Sequence, residues 1–127
     1  MKLLKKIAVL LVMATSMSVS SVAFAAPNGA AAIQAAGELT ASSLQEAKSL
    51  LEKGGESEQV QKALNEARQA VKEYRYEPTE RTRQKLNDKI KAARDSFLKN
   101  DNTKSLENID AALALHAEIK KIYDANH

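Results

Sequence analysis

The chain has 127 residues, no cysteine, and 19 basic side chains against 16 acidic ones. This length suffices for one domain with a modest core, and the lack of cysteine excludes disulfides, thiolate metal sites and cysteine catalysis. An excess of basic residues generally favours anionic partners, but whether it does so here depends on where in the chain those residues lie.

The first 25 residues have the pattern of a secretory signal peptide. Three lysines lie among the first six residues, Ile7–Ala14 is an apolar run, and the small-residue motif "AFA" ends at Ala25. The apolar run is too short to span a membrane. We therefore expect cleavage after Ala25 and a periplasmic mature protein, which has no cysteine for a lipid anchor.

Removal of this leader would make the protein formally neutral. The leader holds three of the 19 basic residues and none of the acidic ones, which leaves 16 of each sign. All three methionines also lie in the leader. A nucleic-acid or anionic-membrane partner therefore loses its compositional support.

Residues 26–41 predict a loose N-terminal segment or the start of the first helix, helical from about Ala30. From residue 42 onward the apolar residues keep helical spacing. The Gly-Gly pair at 54–55 ends the first helix, because glycine accepts the left-handed cap conformation. Ser57 is expected to cap the second helix, which Pro78 ends.

Thr79 is expected to cap the third helix, the "NDN" segment at 100–102 breaks it, and Asn102 or Thr103 caps the fourth. No stretch alternates with a period of two, so no strand is predicted. Short links favour antiparallel neighbours. The predicted fold is an all-α, up-down antiparallel four-helix bundle built from two tandem αα-hairpins, at about 42–77 and 78–124. The expected core positions are Leu44, Ala47, Leu51, Val60, Ala63, Leu64, Ala67, Val71, Tyr74, Leu86, Ile90, Ala93, Phe97, Leu106, Ile109, Leu113, Ile119 and Tyr123.

The two hairpins look like copies of one unit. A shift of 46 positions places Leu44–Tyr74 on Ile90–Lys120 without a gap. The Gly-Gly pair then falls on Asn100-Asp101, and apolar positions fall on apolar positions. Helical periodicity alone gives some of these matches, so duplication and coincidence both stay open.

His116 is the most informative single residue. It lies on the apolar arc of the fourth helix, between Leu113 and Tyr123. It is either a structural histidine of the core or a ligand to a metal or haem. A di-metal site of the Glu-x-x-His kind needs a glutamate three residues before the histidine; this chain has Leu113 there, so the motif is absent. A His–Met haem has no methionine in the mature chain, and a two-histidine haem would need His127.

Two further groups are candidate contacts. Asp124 and His127 have a spacing that would let a helix bring both to one divalent ion, and a frayed C-terminus is the alternative.

The segment "YRYEP" puts Tyr74, Arg75 and Tyr76 at a helix end, as an aromatic and cationic patch for a protein partner. The alternative is that Tyr74 closes the core while the other two are solvated.

Catalysis has no sequence signature. There is no nucleophile–base pattern, no HExxH, no CxxCH, and no glycine-rich phosphate loop after a strand. We therefore expect a protein that is not an enzyme and has no cofactor beyond a divalent metal ion.

The segment Glu46–Ala67, "EAKSLLEKGGESEQVQKALNEA", resembles the tandem hairpins of small periplasmic metal-binding proteins of the SmbP type. The resemblance implies a four-helix bundle, but that family's metal chemistry uses many histidines where this chain has His116 and His127. Ser57–Val71, "SEQVQKALNEARQAV", is similar to the periplasmic cytochrome b562 group. That group's haem needs an N-terminal Met, which the mature chain lacks, so this resemblance implies a haem-free member.

The expected function is an exported, non-enzymatic helical-bundle protein that binds a protein partner in the periplasm. The alternatives are a periplasmic metal-binding or metal-buffering protein and a haem-binding protein of the cytochrome b562 kind.

Overall fold

The computed structural model describes residues 29–127, and the predicted signal peptide with its cleavage site at Ala25 lies outside them. Four α-helices account for most of this part: α1 (Gly29–Glu52), α2 (Ser57–Glu73), α3 (Glu80–Leu98) and α4 (Asn102–Ala125). A short 3-10 helix, Glu77–Thr79, joins α2 to α3. Residues 29–127 contain no strand, so the all-α prediction is confirmed.

The helices form a closed ring of neighbours. Each packs on the next one along the chain, and α1 packs on α4, with the largest contacts inside the hairpins α1–α2 and α3–α4. This is the predicted up-down antiparallel four-helix bundle of two tandem hairpins. Within the described residues, no helix has the length and apolarity that crossing a membrane would take.

Residues 29–41 belong to α1, and residues 26–28 of the predicted N-terminal segment lie outside the described residues. Ala36, Gly37 and Thr40 are buried on this first half of the helix. Glycine in a helix interior costs about 1 kcal/mol relative to alanine, so local propensity alone does not explain the helix here. Packing of this face against the rest of the bundle stabilises it.

The core is one continuous cluster to which all four helices contribute. The predicted core positions of α1 and α2 are all buried, and so is Tyr74 directly after α2. Three of the predicted positions on α3 and α4 are only partly buried: Phe97, Leu106 and Leu113. Many buried residues are alanines, which let helices approach closely but bury little area each.

The links inside the two hairpins have the same geometry. In the first, Gly55 N–H donates to Leu50 O (2.6 Å) and Gly54 N–H to Leu51 O (3.3 Å), with Gly54 at φ 67°. In the second, the amides of Asp101 and Asn100 donate to the oxygens of Ser96 (2.9 Å) and Phe97 (2.9 Å). Asn100 has φ 63°. All four positions of one link correspond to those of the other under the shift of 46, so both links are Schellman caps with the same spacing.

Two predicted helix caps are wrong by one position. Glu56, not Ser57, is the N-cap of α2; its carbonyl oxygen accepts from the amides of Gln59 and Val60 at 3.1 Å each. Asp101, not Asn102 or Thr103, caps α4, because its carboxylate reaches the amide of Lys104 at 3.0 Å.

Thr79 occupies the N-cap position of α3, as predicted, but its side chain does not cap the helix. Its hydroxyl donates instead to the carbonyl oxygen of Tyr76 at 2.8 Å, within the turn. The hydroxyl therefore stabilises the link between the hairpins.

Candidate functional site

All three tyrosines and both histidines of the chain gather at one end of the bundle. At this end α1 begins, α2 ends, α3 begins and α4 ends, as antiparallel order requires. We call it the aromatic end and define it by Tyr74, Tyr76, His116, Tyr123 and His127. Their rings form two layers, an inner layer around His116 and an outer layer around Tyr123.

The inner layer joins three helical segments. The His116 ring on α4 is 8% exposed, and its Nε2 donates to the carbonyl oxygen of Gly37 on α1 at 2.7 Å. Because a carbonyl only accepts, Nε2 carries the proton in this contact. The Tyr74 ring after α2 lies 5.3 Å from the His116 ring, centroid to centroid, at an interplanar angle of 32°.

The position of His116 lowers its pKa from the ordinary value of about 6.5. Burial is the main cause, because it disfavours the charged imidazolium, and the cation of Lys120 acts in the same direction. The hydrogen bond to Gly37 opposes both but does not cancel them. The neutral ring that predominates at neutral pH is the form that donates to Gly37 through Nε2.

Gly37 is required by the close approach of Tyr74. A Cβ atom at Gly37 would lie 2.8 Å from both Cε1 and Cζ of the tyrosine ring, closer than real carbon contacts. The ring cannot easily yield, because Tyr74 is buried. Burial, together with Asp124 and Tyr123, raises the pKa of the Tyr74 hydroxyl to about 12.

The outer layer covers the end of α4. Tyr76 packs edge-on against Tyr123 with 5.1 Å between centroids, and His127 stacks flat on Tyr123 with 4.0 Å between centroids. Tyr76 and His127 are also in contact, at 5.4 Å. Tyr123 is 3% exposed, and its hydroxyl lies 3.5 Å from the carbonyl oxygen of Ala30 at the start of α1.

The predicted partner residues divide between core and surface. Tyr74 closes the core, Tyr76 is half-buried in the outer layer, and the Arg75 side chain is 68% exposed. Arg75 lies 3.4 Å from Glu80, whose carboxylate is held more firmly by Arg83 through Nε (2.8 Å) and Nη2 (2.9 Å). The hydrogen bonds from Arg83 are the main cause that lowers the pKa of Glu80.

The three predicted metal ligands each contact a different group. His116 donates to Gly37, Asp124 accepts from Lys120 at 2.6 Å, and Nδ1 of His127 donates to the carbonyl oxygen of Tyr123 at 2.9 Å. Across residues 29–127, no three side chains of His, Cys, Asp or Glu lie together as a metal site would need. His127 also stacks on Tyr123, with 4.0 Å between the ring centroids.

Sequence reasoning missed Gly37 and Arg83 as members of this end. A glycine inside a helical segment can mark a close contact, so Gly37 carried a usable signal. Arg83 lies in the charged segment 80–89, where a solvated side chain is the simplest expectation, yet it is only 13% exposed and also lies 3.4 Å from the carbonyl oxygen of Val71. That carbonyl lies in the last turn of α2 and also accepts from the Tyr74 amide at 3.2 Å.

Two shallow grooves open elsewhere on the surface. One lies between α3 and α4 and is lined by Lys85, Lys89 and Leu115 among others. The second lies beside Leu39 of α1 and polar residues of α2; Leu39 is one of two large apolar side chains that are well exposed among the described residues. Neither groove includes a residue of the aromatic end.

Comparison of the chain with protein-family models, with curated proteins and with solved structures finds no match. The class of protein is therefore defined by the fold itself, an all-α up-down four-helix bundle.

Proposed function

We propose that this protein is an exported, non-enzymatic helical bundle that binds a protein partner in the periplasm through its aromatic end. The observation that carries the proposal is the outer layer. Tyr76 and His127 rest on the buried Tyr123 and leave parts of their rings accessible beside the exposed guanidinium of Arg75.

Such an arrangement suits protein recognition for two physical reasons. Tyrosine and arginine combine a large contact area with hydrogen-bonding groups and are enriched where interfaces gain most of their energy. Rings that already pack against one another lose little conformational freedom on binding. The aromatic end therefore offers preorganised rings together with the exposed guanidinium of Arg75.

The proposal is tested by capture of partners from periplasmic extract of the source organism with immobilised protein. Arg75→Ala and Tyr76→Ala should each weaken capture of the same partner about tenfold, as hot-spot residues do. Lys62→Ala is the control, since Lys62 is an exposed cation near the start of α2, away from the aromatic end. A partner captured equally by all four proteins would contradict the proposed site.

A metal-buffering role is the second candidate, and one contact favours it. Nδ1 of His127 donates to a backbone carbonyl, the arrangement that orients many metal-binding histidines and leaves Nε2 free for the ion. A single exposed imidazole with carboxylates gives weak affinity for soft transition ions. Titration calorimetry with Cu²⁺, Ni²⁺ and Zn²⁺ should give dissociation constants well above micromolar. Sub-micromolar binding lost in His116→Ala or His127→Ala would instead favour this candidate over partner binding.

A further inference from the structure

All five arginines of the chain lie between residues 68 and 94, on α2, on α3 and in the link between them. The helix α3 carries six basic and three acidic side chains, whereas α1 carries one basic and three acidic ones. The mature chain would be formally neutral, but its charge is thus unevenly placed. The excess of basic side chains thus lies on α3, which shares a packing interface with α2.

Two of these arginines share one side of that interface. The contact of Arg83 with the carbonyl oxygen of Val71, at 3.4 Å, identifies the side of α3 that faces α2. Arg94 follows Arg83 by eleven residues, which is three helical turns, so it lies on the same side. Arg68 precedes Val71 by three residues and neighbours it on α2. We call this surface, defined by Arg68, Val71, Arg83 and Arg94, the α2–α3 seam.

Arg83 already binds a carboxylate in this seam. Its Nε and Nη2 donate side by side to the two oxygens of Glu80, at 2.8 and 2.9 Å. Arg68 and Arg94 carry the same adjacent Nε and Nη2 donors, but the Nε of each is buried without any hydrogen-bond acceptor among residues 29–127. A buried N–H group without an acceptor is costly, so an incoming acceptor that repositions these side chains is favoured.

We propose that the α2–α3 seam binds an extended acidic segment of a protein partner, with one carboxylate on Arg68 and another on Arg94. Arginine pairs with carboxylates through two parallel N–H···O bonds, the geometry that Arg83 and Glu80 display. The rise per residue in a helix separates Arg68 from Arg94 by about 12 Å along the bundle. An extended chain covers this distance in about four residues, so the two acidic side chains stand at positions i and i+4.

This inference rests on the proposed function in one respect: the acidic segment that binds the seam is part of a protein partner. The surface is also separate from the rings of the outer layer, since none of its four residues contributes to them. A synthetic peptide can therefore test the seam without any knowledge of the natural partner. If the peptide does not bind, the capture experiment at Arg75 and Tyr76 still tests the proposed function. If that capture fails, the peptide still tests the seam.

The test is an NMR titration of the full chain with an unstructured peptide that carries two glutamates four positions apart. The side-chain Nε–H signals of arginine report the contact directly. The signals of Arg68 and Arg94 should shift on addition of the peptide, while that of the exposed Arg81 should not. The same peptide with glutamines in place of the glutamates should leave all three unchanged.

Variants then distinguish the effect of the paired N–H donors of arginine from the effect of its positive charge. Arg68→Lys and Arg94→Lys keep the charge but lack the side-on pair of donors, so each should weaken binding at least about fivefold. Arg81→Lys is the matched control and should change it less than about twofold. Equal effects at all three positions, or binding of inorganic polyphosphate in place of the peptide, would overturn the proposal.

Discussion

At the scale of single residues, the contact between Gly37 and His116 joins the first helix to the last. The glycine has no side chain, so the Tyr74 ring lies against its backbone, while its carbonyl oxygen accepts from the histidine at 2.7 Å. Each of the three residues thus depends on the other two. This mutual dependence gives predictions for stability that do not involve any partner.

The lowered pKa of His116 makes stability depend on pH. The unfolded chain takes up a proton near pH 6.5, but the folded protein resists it until a lower pH, so stability falls as the pH drops through this range. His116→Leu should remove this contribution and change stability at neutral pH by less than about 1 kcal/mol, because lost hydrogen bonding offsets gained apolar burial.

The measurement is urea unfolding of wild type and His116→Leu between pH 5 and pH 7.5. His116→Gln is a control, since it keeps a donor near the Nε2 position but does not titrate. Both variants should lose less stability than wild type toward acid. An identical pH dependence in all three proteins would contradict the burial of a titrating ring.

The close contact at Gly37 predicts a sign reversal. Gly37→Ala improves helix propensity by about 1 kcal/mol but places a methyl group against a buried ring, so we expect net destabilisation of about 1–2 kcal/mol. In a Tyr74→Leu background the ring is absent, and the same change should become stabilising. Thermal unfolding of the four proteins measures the coupling; a stabilising Gly37→Ala in wild type would disprove the contact.

Sequence reasoning could place His116 but not its acceptor. Helical periodicity puts the histidine on the apolar arc of its helix, and the structure confirms that it is buried. The acceptor lies 79 residues away, and which carbonyl it is depends on how far α4 is displaced along α1. That displacement follows from side-chain packing throughout the core, which periodicity within one helix does not encode.

At the scale of secondary structure, the two hairpin links are equivalent although their sequences differ. Gly54 and Asn100 both have positive φ at the same point of a Schellman cap. The break in each helix was predictable because glycine and asparagine are the residues that tolerate this conformation. The caps of α2 and α4 each lie one residue before the predicted position; the Asp101 carboxylate caps α4, whereas Glu56 begins α2 without a side-chain cap.

This equivalence predicts opposite effects of reciprocal substitutions. Asn100→Gly relieves the strain of a side chain at positive φ and should stabilise the protein by about 0.5–1 kcal/mol. Gly54→Asn should destabilise it by a similar amount. Chemical denaturation of both variants checks this, and effects of the same sign would show that the two links differ in more than their residues.

At the scale of the whole molecule, the two hairpins form one core. Ion pairing contributes little to their union: the contact of Lys48 on α1 with Asp110 on α4 is partly exposed to water, where such pairs are weak. The buried cluster that all four helices share is the main source of stability.

Separation of the hairpins should therefore abolish stable structure. Each hairpin alone would expose the face that it buries against the other, and isolated helices of this length are marginal in water. We expect fragments 26–77 and 78–127 to lose most of their helicity and to regain it on mixing. Circular dichroism of the fragments decides this, and two independently stable, fully helical monomers would be the contrary result.

The central claim is that a protein partner binds at the aromatic end, and site-specific photo-crosslinking in living cells of the source organism tests it most directly. A photoreactive amino acid replaces the exposed Glu77, next to Tyr76, so that Arg75 and Tyr76 stay intact, or replaces Lys62 on the exposed side of α2 as the control. The account predicts a light-dependent adduct with one discrete protein at position 77 and none at position 62. The absence of an adduct at position 77, or the same adduct from both positions, would contradict it.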